Sequence, residues 1–92
     1  MTEQKVQKRI LAFLDEIGAY PVKTITANRA GVPDILACID GKFVGIEVKR
    51  PGKEATPLQE YHLRRIQEAG GVAFVAHGVD EVREGLIEAG LI

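Results

Sequence analysis

The chain has 92 residues, 46% hydrophobic and 27% charged, with a formal net charge of −1. That describes one globular domain spanning 1–92 with no room for a second core. It lacks the basic excess typical of nucleic-acid binders, although a local patch matters more than the total. The single cysteine, Cys38, excludes an intrachain disulfide framework and a cysteine-rich zinc site. A polar N-terminus and the lack of any apolar run near ~18 residues point to a cytoplasmic chain with no membrane partner.

Residues 2–17 are predicted to be helical. Val6, Ile10, Phe13, Leu14 and Ile17 recur at helical spacing, with Thr2 as N-cap and Gly18 as the stop. Glu3 heads this apolar stripe, where an acid in the first turn complements the helix dipole. Residues 20–26 are predicted as a strand rich in β-branched side chains, at a sheet edge because of Pro21. A loop over 27–33 follows.

The stretch Gly31–Pro51 reads GVPDILACIDGKFVGIEVKRP. It predicts two short apolar strands, 34–40 and 42–48, joined by the two-residue turn Asp40-Gly41. Such a turn sets the register. Ile39 faces Lys42, Ala37 faces Val44, Ile35 faces Ile46, and Asp34 falls opposite Glu47. Side-chain alternation puts Glu47 and Lys49 on one face and Val44, Ile46 and Val48 on the other.

After the loop 50–56, Thr56 as N-cap, Pro57 at the first position and Gln59 as partner of a capping box start a second helix. It ends at Gly70-Gly71. Tyr61 and His62 are read as core residues, and so is Cys38. Residues 72–76 are predicted as a buried strand and 80–89 as a last helix, while His77 between them has no evident partner. The order is helix, three strands, helix, strand, helix. The first three strands make an antiparallel meander, and the fourth joins in parallel after a crossover, so the sheet is mixed and flanked by helices.

Two directly opposed carboxylates destabilise a sheet unless something compensates. A raised pKa, an ion pair to Lys49, and a hard divalent cation all meet that need. With a cation, Asp34, Glu47 and Lys49 make a plausible phosphodiester-hydrolysing centre.

Pro33-Asp34 followed by Glu47-Val48-Lys49 resembles the PD-(D/E)xK motif of the restriction-endonuclease-like nucleases, whose αβββαβα core matches the predicted order. Together with G-x-P-D, E-V-K and a helical glutamine ten residues past the lysine, nearly the whole chain resembles the virus-type replication-repair nuclease (VRR-NUC) domain. The resemblance implies an α/β fold and a Mg²⁺- or Mn²⁺-dependent endonuclease. Asp34, Glu47, the Val48 carbonyl and Glu3 would bind metal, Lys49 would be the catalytic lysine, and Gln59 would point toward the site. Gln59 is equally accounted for by its capping box. Arg50, Lys53, Lys23 and Arg29 are candidate phosphate contacts, with Arg64 and Arg65 beside them. The implied substrate is DNA, branched as in four-way junctions, cut by a homodimer in a bacterial or phage-infected cell. Rival readings are a nuclease on flap or linear DNA working with a helicase or other replication protein, and a non-catalytic DNA-binding module.

Overall fold

A computed structural model describes all 92 residues. The elements are α1 (Glu3–Glu16), β1 (Tyr20–Lys23), β2 (Ile35–Ile39), β3 (Lys42–Val48), α2 (Pro57–Glu68), β4 (Val72–Ala76) and α3 (Val79–Glu88). The strands form one sheet in the order β1-β2-β3-β4, with the first two pairings antiparallel and the last parallel. This is the predicted mixed sheet. The first strand is shorter than expected and stops at Lys23, although the Thr24 amide still donates to the Asp34 carbonyl at 2.8 Å.

The hairpin adopts the register that its turn dictates. Asp40 and Gly41 take φ of 51° and 77°, as a tight turn with two left-handed residues requires. Ile35 pairs with Ile46, Ala37 with Val44 and Ile39 with Lys42. These β2 and β3 residues other than Lys42, with Val48, face α1 and α3. They form one core with Val6, Ile10 and Leu14 of α1, Ala76 of β4, and Val82 and Leu86 of α3. Fully burying one such aliphatic side chain contributes about 1.5–3 kcal/mol.

The other face of the sheet is only half covered. α2 lies over β3 and β4, and Ile66 closes on Gly45 and Gly71, where a Cβ would come within 2.7 and 2.8 Å of it. Nothing lies over β1 and β2 on this side. Tyr20, Val22 and Cys38 are therefore exposed, and so is Phe43, opposite Cys38 at the turn end of β3. This corrects the expectation for Cys38: it faces outward on a strand whose alternate residues are core. Tyr61 is also exposed, because it lies on the outer side of α2, whereas its neighbour His62 is buried as expected.

The second helix begins as its sequence predicts. Thr56 Oγ1 accepts from the Gln59 amide at 3.2 Å, and Gln59 Oε1 accepts from the Thr56 amide at 2.9 Å. No helix is long and apolar enough to cross a membrane.

Candidate metal centre and nuclease site

Extending the β2–β3 ladder by one residue beyond Ile35–Ile46 sets Asp34 opposite Glu47, and extending β1–β2 sets Thr24 opposite Asp34. Thr24, Asp34 and Glu47 thus form a row across three strands at the open end of the hairpin. They lie on the face that α2 partly covers. The Val48 amide donates to Asp34 Oδ2 at 2.9 Å, which ties that carboxylate to the strand carrying Glu47. Lys49, on the face of Glu47, brings its Nζ to 3.9 Å from Glu47 Oε2. Its amide donates to the Ala76 carbonyl at 3.0 Å, anchoring the end of β3 to β4.

Glu47 is only 2% exposed. Burial is the largest cause pushing its carboxyl up to about 8. Hydrogen bonding to Asp34 and the Asp34 charge add to this, Lys49 opposes it, and Glu3 contributes a further small rise. Two of the three compensations anticipated for the opposed acids thus bear on this residue. Burial beside Asp34 raises the pKa and Lys49 stands nearby, and a cation is a further means of keeping both carboxylates ionised.

The donor set suits a hard divalent ion. Asp34 and Glu47 supply carboxylate oxygens, the type Mg²⁺ and Mn²⁺ prefer. The neighbouring Thr24 hydroxyl is buried with no hydrogen-bond partner, so it is free to hold a water beside them. No three His, Cys, Asp or Glu side chains close on a common point. Glu3 acts on the Glu47 carboxyl through space. Thr24 escaped sequence reasoning; its placement on the strand row opposite Asp34 was the one available clue.

The other predicted residues scatter around this centre. Gln59 spends its Oε1 on the capping box, leaving its amide nitrogen uncommitted. Arg50 and Lys53 are exposed in a turn closed by the Lys53 amide and the Arg50 carbonyl at 3.1 Å. Arg29 is exposed in the loop that leads into Asp34. Lys23 is exposed at the same end but pairs with Ile35, and so belongs to the face opposite the acids. His77, for which the sequence offers no partner, has two. Its Nδ1 lies 2.8 Å from Glu81 Oε1 and its Nε2 lies 2.8 Å from the Lys53 carbonyl. A cavity of about 590 Å³ is next to this clamp and is lined by Arg9, Pro51 and Gly52 among others, not by the acidic pair.

An αβββαβα chain with a mixed sheet and an acid pair at the open end of its β2–β3 hairpin is a restriction-endonuclease-like α/β domain. Two solved structures share the architecture. One, described as a VRR_NUC domain, superposes with a TM-score of 0.79 at 27% identity, over 96% of this chain and 97% of that one. A second, a VRR_NUC domain protein, gives 0.76 at 25% identity over 96% and 86%. No family model matches the chain. Among curated proteins, "Putative nuclease p44" of Acyrthosiphon pisum secondary endosymbiont phage 1 is 30% identical over 79 residues, 85% of each chain. The chain belongs to the virus-type replication-repair nuclease (VRR-NUC) family.

Proposed function

We propose that this chain is a metal-dependent, structure-specific endodeoxyribonuclease that hydrolyses phosphodiester bonds in branched DNA during phage replication, recombination or repair. The observation that carries the reading is the buried Glu47 carboxylate held beside Asp34. Burying one acid beside another costs stability, because either one carboxyl must keep its proton or two like charges must coexist, and a domain that only bound DNA would gain nothing from keeping the pair.

Asp34, Glu47 and the Val48 carbonyl would hold Mg²⁺ or Mn²⁺, with Glu3 reaching it through water. The ion would neutralise charge on the scissile phosphate and acidify a water. Lys49 directs its ammonium toward the same space. It orients the attacking water and donates to the phosphate oxygens as negative charge grows on them. The water oxygen bonds to phosphorus while the bond to the leaving sugar oxygen breaks; the water gives a proton up to solvent and the sugar oxygen takes one from it. The Asp34–Val48 hydrogen bond keeps one carboxylate oxygen engaged and aims the other. The uncommitted amide nitrogen of Gln59 would donate to phosphate. Arg50 and Lys53 would contact phosphates beside the site and Arg29 phosphates farther along the substrate, with Lys23 at the outer margin.

A homodimer, making paired cuts across a junction, is part of this reading. The uncovered apolar residues Tyr20, Val22 and Ile25 support it, because a chain this small has little core of its own. The deciding test is a nicking assay on four-way junction, flap and linear duplex, each with Mg²⁺ and with Ca²⁺. Junction cleavage in Mg²⁺ alone is expected. Absence of Mg²⁺-dependent cleavage of all three substrates overturns the reading, and cleavage restricted to flap or linear DNA overturns its branched-DNA part.

A further inference from the structure

None of the ion pairs in the molecule involves Arg29, Arg64 or Arg65, yet these three cations gather at one phenol. Arg65 Nη1 donates to Tyr61 Oη at 2.9 Å, which sets the direction of that guanidinium. The guanidinium carbons of Arg64 and Arg65 lie 5.9 and 5.8 Å from the Tyr61 ring centroid. Arg65, and then Arg29 from the loop before β2, hold the phenol below its ordinary range. In a chain of net charge −1, three unneutralised arginines around one side chain repel one another, and an anion between them relieves that repulsion.

Arg29 and Arg65, both exposed, also flank a cleft of about 290 Å³ between α2 and the uncovered part of the sheet. Phe43, 52% exposed, lines it from β3, and His62 and Ile66 line it from α2. Leu36 lines it from β2. By register, Leu36 and Phe43 share the sheet face of Asp34 and Glu47. The acidic pair and the Cys38–Phe43 pair are four residues apart along the hairpin, about 13 Å. Pro33 and Ile66 meet over Gly45 as a ridge between them, leaving no room there even for a Cβ. The cleft is thus a separate compartment on the same face as the proposed reaction centre.

We propose that this cleft takes one unpaired nucleotide of a DNA substrate, its base against Phe43 and the α2 side chains and its flanking phosphates on Arg29, Arg64 and Arg65. The inference rests on the nuclease reading and adds a substrate feature to it. An aromatic surface beside guanidinium groups is the chemistry that binds single-stranded nucleic acid, because every base has a face to stack and every linkage a charge. The volume sits at the low end for small-ligand sites, roughly 300–1,000 Å³, which admits one base and excludes a duplex.

The test is fluorescence anisotropy in EDTA, with a labelled duplex carrying one central unpaired 2-aminopurine and the same duplex fully paired. Wild type is expected to bind the unpaired form at least about fivefold more tightly and to change its 2-aminopurine fluorescence. Ala69→Trp, at the exposed C-cap of α2 lining the cleft, fills the space, and Arg65→Gln removes a phosphate partner. In each variant, with circular dichroism unchanged, the affinity ratio should fall toward one. A wild-type ratio near one, or a ratio that survives both variants, overturns the proposal while leaving the nuclease reading intact. A dimer that Ala69→Trp dissociates in light scattering, with the ratio lost in that variant alone, assigns the cleft to a second copy and overturns it too. Failure of either duplex to bind, with no Mg²⁺-dependent cleavage, instead defeats the nuclease reading itself.

Discussion

The Val48 amide donates to the Asp34 carboxylate at 2.9 Å, across the open end of the hairpin. One side chain therefore serves as both a strand-pairing group and a candidate metal ligand. The two roles can be separated by substitution. Asp34→Asn keeps an acceptor for the amide and loses the charge, so cleavage should be abolished with DNA binding and stability largely retained. Asp34→Ala also leaves a part-buried N–H unpaired, which costs about 1–3 kcal/mol in urea denaturation. Equal stability of the two variants would show that the hydrogen bond contributes nothing.

Lys49→Ala removes the only cation paired with Glu47. Cleavage should fall at least about 100-fold, the scale of losing one donor to developing charge. DNA affinity should change little, because the surrounding arginines remain. Cleavage at the wild-type rate would show that Lys49 is only a structural partner of Glu47.

Glu47 titrates in the folded chain near 8 against 4.5 for an ordinary glutamate. The folded state therefore holds a proton that the unfolded state gives up. The stability this supplies is complete below pH 4.5 and is lost as pH rises through about 8. Without divalent ions, Glu47→Gln should stabilise the protein at pH 8.5 by on the order of 1–3 kcal/mol, with the gap closing by pH 5. Mg²⁺ at about 100 times its dissociation constant should stabilise wild type by about 2.7 kcal/mol, and Glu47→Gln much less. Thermal melts in EDTA and in Mg²⁺ at both pH values check this; equal responses of the two proteins to Mg²⁺ would remove Glu47 from the metal centre.

His77 faces two acceptors, the Glu81 carboxylate and the Lys53 carbonyl, and only an imidazolium donates to both. The Glu81 hydrogen bond, then that to Lys53, raises the histidine above 6.5, and the histidine lowers Glu81 below 4.5. The His77 contribution is complete below pH 6.5 and lost as pH rises through its raised value. The Glu81 contribution is present above 4.5 and lost as pH falls through its depressed value. Glu81 is exposed and His77 partly so, and the effect on global stability should stay within about 1 kcal/mol. Hydrogen exchange in loop 50–56 should quicken above neutral pH, and Glu81→Gln should return the His77 titration, followed by NMR, toward 6.5. A titration that Glu81→Gln leaves unmoved would remove the carboxylate from the clamp.

Gly31 has a φ of +87°, and a Cβ there would sit 2.7 Å from Leu58 Cγ and 3.0 Å from His62 Cδ2. Gly31→Ala should cost about 1–2 kcal/mol from the left-handed backbone alone. Because this loop delivers Pro33 and Asp34, cleavage should fall with stability. Unchanged urea midpoints would show that the loop repacks freely.

Much of this protein could be read along the chain. Asp40-Gly41 set the register, so the opposition of Asp34 and Glu47 followed from counting, and Thr56, Pro57 and Gln59 marked the start of α2 to the residue. These are local effects, in which a few neighbouring residues dictate the backbone. Tertiary structure decided what depends on coverage and on distant neighbours. Cys38 faces outward because α2 covers β3 and β4 and leaves β1 and β2 bare, and Tyr61 because it lies on the outer side of α2. Glu47 is buried deeply enough to hold its proton, an outcome of packing that no spacing encodes. His77 finds its partner 24 residues back, and Arg29 meets Arg65 only because the loop before β2 folds onto α2. Register and caps are properties of sequence, whereas burial and the company a charge keeps are properties of the fold.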